Sequence, residues 1–263
     1  MDVNGRRVLV TGASRGIGEA IARSFAGAGA RLALVARSEG PLKELAAEVG
    51  GTSFPTDLTD PAAVDGLIER VEADGGPVDV LVNNAGIDLA GAFTDNEPAE
   101  LEQIYRVNLL SPVQLCRQAI PRMLSRGGGH IVNVSSLAGT AVFPGLVAYS
   151  STKSGLTHFT SGLRADLKGK PVKTTVVELG PIPTAMLDHV DDYLPTSRSF
   201  RRFYRLRLIV DIPKEKVADA VLDAVRKEKK HVRFPKRAMA FALLAEAPRR
   251  TVELLLTGVP HQE

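Results

Sequence analysis

Five residues of this chain stand where they could take part in moving a proton. Tyr149 and Lys153 are four apart at the start of a predicted helix, a spacing that puts both on one face. Ser135 and Ser136 close the preceding predicted strand, and Asn108 lies inside another predicted helix, where asparagine is a poor former. An ordinary tyrosine, with a pKa of about 10, is a weak base at neutral pH, and a neighbouring ammonium favours its phenolate. Such a phenol can exchange a proton with an oxygen on which charge develops, while a serine hydroxyl holds that oxygen. The Tyr-Lys spacing alone is commonplace. Its company at one strand end is what points to acid–base work on a carbonyl or alcohol.

A glycine-rich turn indicates what would accompany that chemistry. Val8-Leu9-Val10 is an apolar run suited to a buried strand, and Thr11-Gly12-Ala13-Ser14-Arg15-Gly16-Ile17-Gly18 joins it to a helical pattern through Ala20, Ile21, Phe25 and Ala28. Gly12 permits the tight turn, Gly16 lets the backbone approach a pyrophosphate, and Gly18 lets the helix pack against the sheet. The helix N-terminus then offers N–H groups to the anion. The strand–turn–helix context is what makes a glycine pattern of this kind informative. The second strand ends Val35-Ala36-Arg37-Ser38 without the carboxylate that would bond a ribose 2′-hydroxyl. Arg37, with Arg15 in the turn, suits a 2′-phosphate by charge and fork geometry, so NADP(H) is the expected cofactor. Hydride transfer from a nicotinamide to a carbonyl leaves alkoxide charge that needs a proton. Lowering a tyrosine pKa by roughly three units for the reverse step takes about 4 kcal/mol, within reach of an ammonium and an oxidised nicotinamide together.

Elements that would position these groups alternate along the chain. Strands are expected at Leu32–Val35, 52–56, 79–82, Ile131–Val134 and Thr174–Val177. Helices are expected from Pro61 through Val71, from Leu101 to Leu124 with a kink at Pro112, and from Tyr149 to Leu167. This order predicts a single α/β domain over residues 1–263, a Rossmann-type doubly wound parallel sheet in three layers. Residues 181–213 carry four prolines and poor periodicity, and 185–212 is expected to be an irregular insertion covering the site. A helix around Val217–Val225 and a strand at His231–Phe234 follow, then a C-terminal helical tail at 236–263 interrupted by Pro248.

The ordered set resembles the short-chain dehydrogenase/reductase family, in its compact single-domain branch. The segments that carry the resemblance are Thr11 to Gly18, Asp57-Leu58, Asn83-Asn84-Ala85-Gly86, Asn108, Ser136, Tyr149-x-x-x-Lys153 and Gly180-Pro181-Ile182-Pro183-Thr184, over roughly residues 5 to 185. The resemblance implies that Tyr149 is the general acid/base, and that Lys153 lowers its pKa and bonds the nicotinamide ribose. Ser136, chosen over Ser135 by its interval to Tyr149, would polarise the substrate oxygen, and Asn108 would hold a proton-relay water. Asp57 and Leu58 would flank the adenine, and Asn84, Ala85 and Gly86 would line the cofactor. Gly180, Ile182 and Thr184 would meet the carboxamide. One departure is Leu179, where the family commonly has proline. A second is the lack of a Val-Asp-Gly-Gly-like tail, so a homodimer through 101–125 and 149–168 is expected rather than a tetramer.

Composition excludes other classes. A net charge of +3 on 263 residues does not suit a dedicated nucleic-acid binder. One cysteine, Cys116, forms no internal disulfide, and five scattered histidines show no metal-ligand spacing. No stretch nears the roughly 18 apolar residues of a membrane span, and the N-terminus lacks a signal-peptide pattern, so a cytoplasmic protein is expected. Apolar and aromatic residues in 185–212 (Met186, Leu187, Tyr193, Leu194, Phe200, Phe203) favour a hydrophobic, lipid- or steroid-like substrate. The basic residues of 198–237 leave open an acidic substrate or peripheral membrane contact. A non-catalytic NADP(H) sensor on the same fold is the alternative, one that would have no need of a proton donor. A sugar-nucleotide epimerase would need a larger substrate domain than this length provides.

Overall fold

Val8–Val10, Leu32–Val35 and Val80–Val82 are short aliphatic runs without polar alternation, the pattern of a parallel sheet covered on both faces. The computed structural model describes residues 1–183, 192–235 and Ala247. Its strands are β1 (Arg7–Thr11), β2 (Arg31–Ala36), β3 (Thr52–Pro55), β4 (Val80–Asn83), β5 (Gly129–Ser136), β6 (Val172–Leu179) and β7 (His231–Phe234). They form one sheet in the order β3-β2-β1-β4-β5-β6-β7, every pair parallel. Every residue of β1, β4 and β5 is buried.

Nine α-helices connect the strands among the described residues: α1 (Gly16–Gly27), α2 (Glu39–Val49), α3 (Pro61–Val64), α4 (Leu67–Gly75), α5 (Pro98–Tyr105), α6 (Ser111–Ser125), α7 (Val147–Asp166), α8 (Leu194–Arg205) and α9 (Lys214–Arg226). Ile21 and Phe25 of α1, Leu42 of α2 and Val221 of α9 pack on one face against Val8 and Val10. Leu67 and Ile68 of α4 and Leu115 and Met123 of α6 pack on the other against Leu9 and Leu81. Each such side chain, fully withdrawn from water, contributes roughly 1.5–3 kcal/mol. The strand order reverses between β1 and β4, and at such a switch point the loops at the carboxyl ends splay apart and leave a crevice.

The fold is the doubly wound one expected, with three local differences. The helix expected from Pro61 breaks at Asp65 and Gly66, where Gly66 takes a left-handed φ of 65°. The helix expected from 101 to 124 is two helices joined by a π-type turn at Arg106–Leu110. Pro112, near the start of α6, has no N–H for the carbonyl four residues back, at Asn108, so the chain widens there instead of continuing regularly. Within the segment expected to be irregular, residues 194–205 form α8. Arginines fill that helix, and Phe200 and Phe203 mark its inner side, too few to show an apolar stripe.

His130, in β5, is a buried titratable group outside the crevice. Its Nε2 lies 2.8 Å from the Thr175 hydroxyl. That hydroxyl donates to the Lys229 carbonyl, so the imidazole must be the donor through Nε2, and Nδ1 is left without a partner. Burial pushes the imidazole from 6.5 down to about 4, with the Met1 amine and Lys173 adding to the fall. An unfolded chain therefore binds this proton more readily than the native one between those values. The stability contribution is full above about pH 6.5 and is lost as pH falls towards 4, for a total of about 3 kcal/mol. Urea unfolding at pH 7 and pH 4.5 should show wild type losing about 2 kcal/mol more than His130→Gln on acidification. Equal losses would mean the imidazole accepts its proton without cost.

Candidate active site

The glycine turn is pressed against the loop after β4. Gly12 has a φ of 65°, and a Cβ there would stand 2.7 Å from the Ala85 Cα. The Asn84 side-chain amide donates to the carbonyls of Thr11 (3.0 Å) and Gly12 (3.3 Å). The Thr11 hydroxyl donates to the Val82 carbonyl and accepts from the Asn84 and Ala85 N–H groups at 3.0 and 3.1 Å. A Cβ on Gly18 would overlap the Gly12 carbonyl oxygen and come within 2.5 Å of the Asn84 amide nitrogen. Helix, turn and loop thus meet with backbone contacts only glycine allows.

The start of α1 is fit to hold an anion. Arg15, at its N-cap, provides no side-chain cap, so the first-turn N–H groups face the crevice without an internal acceptor. Gly16 has a left-handed φ of 63°, and Ser14 and Ile17 flank it, half-buried. Arg15 and Arg37 are both exposed at this carboxyl edge of the sheet. Asp57 accepts from the Thr59 N–H and hydroxyl, each at 2.9 Å. Those hydrogen bonds from Thr59 hold its carboxyl below the usual range, and the Arg37 cation adds to the effect. Leu58 is buried, its carbonyl taken by the Ser111 hydroxyl at 2.7 Å. An uncapped helix end, a glycine backbone and two unburied guanidiniums are a donor set matched to a dinucleotide phosphate.

Residues expected to move protons gather at the ends of β4, β5 and α7. Ser136 ends β5, and its hydroxyl donates to the Leu179 carbonyl at 3.1 Å and accepts from the Ala138 N–H. Ser135 points the other way, bonded to the Lys153 carbonyl and the Thr157 hydroxyl; it ties β5 to α7. The Tyr149 phenol lies enclosed in the crevice. Burial pushes it up to about 12, the Asp88 carboxylate adds to the rise, and Ser136 opposes it. Lys153 is buried and donates to the Val134 carbonyl at 3.1 Å, with its Nζ 5.7 Å from the centre of the Tyr149 ring. The same burial pushes this ammonium down to about 8.

Asn108 sits fully buried in the π-type turn, clamped to Ile87: its oxygen accepts the Ile87 N–H at 2.9 Å and its amide donates to the Ile87 carbonyl at 2.8 Å. The amide also reaches the Thr152 hydroxyl at 3.2 Å. A Cβ on Gly86 would lie 3.3 Å from both the Asn108 oxygen and the Lys153 nitrogen, so the absence of a side chain at 86 keeps the lysine uncrowded. Leu179, in place of proline, lets β6 pair through to Ser136 on one side and Phe234 on the other. Gly180 donates to the Phe234 carbonyl at 2.7 Å, and Ile182 is buried beside it. Thr184, Met186 and Leu187 lie outside the described residues, as does the tail at 236–263 except Ala247.

Ile17, Asn84, Gly86, Ser136, Tyr149 and Lys153, with Gly180 and Ile182, line one cleft, which counting its open mouth encloses about 950 Å³. Its substrate-side wall is apolar: Phe143, Leu146, Phe200 and Ile209. Phe143 packs on Phe200 and Phe203, with ring centres 5.2 and 5.0 Å apart. Sequence reasoning found neither Asp88, Phe143 nor Leu146. Asp88 stands two residues after Asn-Asn-Ala-Gly, on the loop that leaves the matched segment. Nothing in the local pattern marked Phe143 and Leu146.

A parallel α/β sheet with a glycine turn at its switch point, and a tyrosine–lysine–serine cleft at the same edge, defines a dinucleotide-type oxidoreductase architecture. A family profile described as short chain dehydrogenase matches residues 6–194, and the chain belongs to this short-chain dehydrogenase/reductase family. It is 35% identical over 222 residues to a short chain dehydrogenase of Pseudocercospora fijiensis, covering 81% of this chain and 71% of that one. It is 38% identical over 180 residues to the ketoacyl reductase HetN of Nostoc, covering 66% and 63%. Against mycobacterial oxidoreductase relatives it spans 40% of their length. Among solved structures, a metagenomic short-chain oxidoreductase in complex with NADP superposes with a TM-score of 0.72 at 30% identity, covering 88% of this chain and 97% of that one. No helix among the described residues is long and apolar enough to cross a membrane, and no group of metal-ligating residues is found among them.

The tightness of the glycine turn is testable. Gly18→Ala has to push the turn away from Asn84 and should cost about 2–3 kcal/mol in urea unfolding. Gly27→Ala, where a Cβ meets nothing within 4 Å, should cost nothing. Equal behaviour of the two would show that α1 can slide without penalty.

Proposed function

We propose that this oxidoreductase is an NADP(H)-dependent reductase of ketones or aldehydes with a hydrophobic body, able to run in reverse as an alcohol dehydrogenase. The observation that carries the reading is the shared enclosure of Ser136, Tyr149 and Lys153 in an apolar cleft beside the glycine turn. The ketoacyl reductase relative and the NADP-bound neighbour support it.

NADPH, when bound, supplies the hydride. In this reading Gly12, Ser14, Gly16, Ile17 and Gly18 hold the pyrophosphate, and Arg15 and Arg37 pair with the 2′-phosphate. Asp57 and Leu58 bracket the adenine. Asn84, Ala85 and Gly86 shape the wall beside it, and Gly180, Ile182 and Thr184 meet the carboxamide. Ser136 turns its hydroxyl from the Leu179 carbonyl to the substrate oxygen. Tyr149, held protonated by burial and by Asp88, donates its proton as alkoxide charge develops. Lys153 places a cation behind the phenol and bonds the ribose, and Asn108 orders the path by which its proton is replaced. Residues 185–212, which include α8, cover the substrate. A homodimer through α5–α6 and α7 and a cytoplasmic setting complete the proposal.

Following NADPH absorbance across carbonyl compounds graded from small ketones to steroids and acyl thioesters tests it. Turnover should favour the bulky apolar members, and Tyr149→Phe should fall by about 10²–10⁴-fold with cofactor binding retained. Arg37→Glu should raise KM for NADPH at least about tenfold and leave NADH little changed. Tight NADPH binding with no oxidation of it by any member would overturn the catalytic assignment in favour of a sensor. A preference of wild type for NADH would overturn the roles of Arg15 and Arg37.

Asp88 sets a second expectation. Its carboxylate works against ionisation of Tyr149, and alcohol oxidation requires the phenolate. Asp88→Asn should therefore move the rising limb of the oxidation pH profile to lower pH. A limb that stays in place would mean another group limits the proton transfer.

A further inference from the structure

Helix α8 has two unlike faces. Phe200 and Phe203 turn inward onto Phe143, and Thr196 and Ser197 are buried with them. Arg198, Arg201, Arg202 and Arg205 fall at i, i+3, i+4 and i+7, which sets them on one stripe, and all four are exposed. Among the described residues none of the four guanidiniums has an acidic partner. Asp211, the acid nearest in sequence on the C-terminal side, is already bonded by the Tyr204 hydroxyl.

Large apolar side chains are exposed at both ends of the helix and in the loop it packs against. Leu194 begins the helix at 52% exposure, and Leu206 follows it at 58%. Val142 is 93% exposed, next in sequence to the buried Phe143 on which α8 packs. Leu194 lies on the same side of the helix as Arg198, Arg201 and Arg205, and Leu206 follows Arg202 by one turn. Cations flanked by protruding aliphatic groups match the two layers of an anionic bilayer surface, its headgroups and the first methylenes beneath.

We infer that the outer face of α8, with Val142, docks on anionic lipid bilayers, so that the apolar cleft beneath the helix opens towards the membrane. The docking itself does not depend on the reductase reading. Only its use, taking a lipophilic carbonyl compound from the bilayer, rests on that reading. The arginines supply salt-sensitive attraction, and Val142, Leu194 and Leu206 supply the shallow insertion that fixes orientation.

Co-sedimentation of the full chain with phosphatidylcholine vesicles, with and without about 30% phosphatidylglycerol, tests this, because the attraction needs anionic headgroups. Binding should be roughly tenfold or more tighter with the anionic lipid and should weaken steeply towards about 0.5 M salt. Replacing Arg198, Arg201, Arg202 and Arg205 together by glutamine should abolish that preference with an unchanged unfolding midpoint. The same exchange at Arg226, Lys227 and Lys230, basic residues at the far end of α9, should leave it within about twofold. Val142→Ser with Leu206→Ser should weaken binding while keeping its salt dependence. Equal binding to both vesicle types, retention of binding by the α8 variant, or binding to an acidic protein such as polyglutamate but not to vesicles would overturn the inference. A failure of turnover in every assay above, with vesicle binding intact, would leave the docking surface standing and remove only the catalytic reading.

Discussion

The contact between the glycine turn and the Asn84–Ala85 segment is the constraint on which the site depends. Three elements converge there with no room for a Cβ at Gly12 or Gly18, and the gap is closed by polar bonds from Asn84 and Thr11. Those bonds replace the water that would otherwise solvate the exposed backbone of a strand–helix turn, and in a dry crevice they are expensive to break. The turn also fixes α1, and α1 fixes where an anion can sit. Because Asn84 is two residues before Gly86, the same clamp carries on to Lys153, whose nitrogen would have a Cβ at 86 for a neighbour if that residue were not glycine. The glycine turn and the Lys153 end of the cleft are thereby joined through one short segment, Asn84 to Gly86.

Asn108 shows a related logic on the other side. A regular helix through residues 101–124 would leave no place for a buried amide. Pro112 cannot complete the ladder, and the chain opens into a π-type turn at Arg106–Leu110. Asn108 then turns inward and satisfies both backbone groups of Ile87. A local irregularity forced by one proline thus becomes the support for the loop that follows Gly86 and carries Asp88.

What was legible in the sequence and what was not divide on physical grounds. The central strands could be read because a sheet covered on both faces favours unbroken aliphatic runs, and Leu32–Val35 and Val80–Val82 provide them. The glycine turn could be read because its positions are fixed by backbone sterics, which leave a mark in residue type. Helix α8 could not be read from periodicity: its inward side includes Thr196 and Ser197, polar residues buried by tertiary contact rather than by their own preference. Asp88 and Phe143 escaped for another reason. A cleft wall is assembled from loops distant in sequence, and neither residue repeats with any local period. Asn108 was expected near Lys153; that its side chain is engaged by Ile87 and Thr152 left no mark in the sequence, because both partners are distant along the chain.

Burial acts on the two ionisable groups of the cleft in opposite directions. It pushes Tyr149 up to about 12 and Lys153 down to about 8, because either charge alone is poorly solvated there. The phenol is therefore a proton holder at neutral pH, and the Asp88 carboxylate strengthens that bias. A protein so arranged stands ready to give a proton to a developing alkoxide. To take one from an alcohol it must first gain positive charge nearby or lose the negative charge at Asp88. The apolar wall of Phe143, Leu146 and Phe200 is not separate from this effect. By excluding water it makes charge on either group costly, which is why the same burial moves the phenol up and the ammonium down.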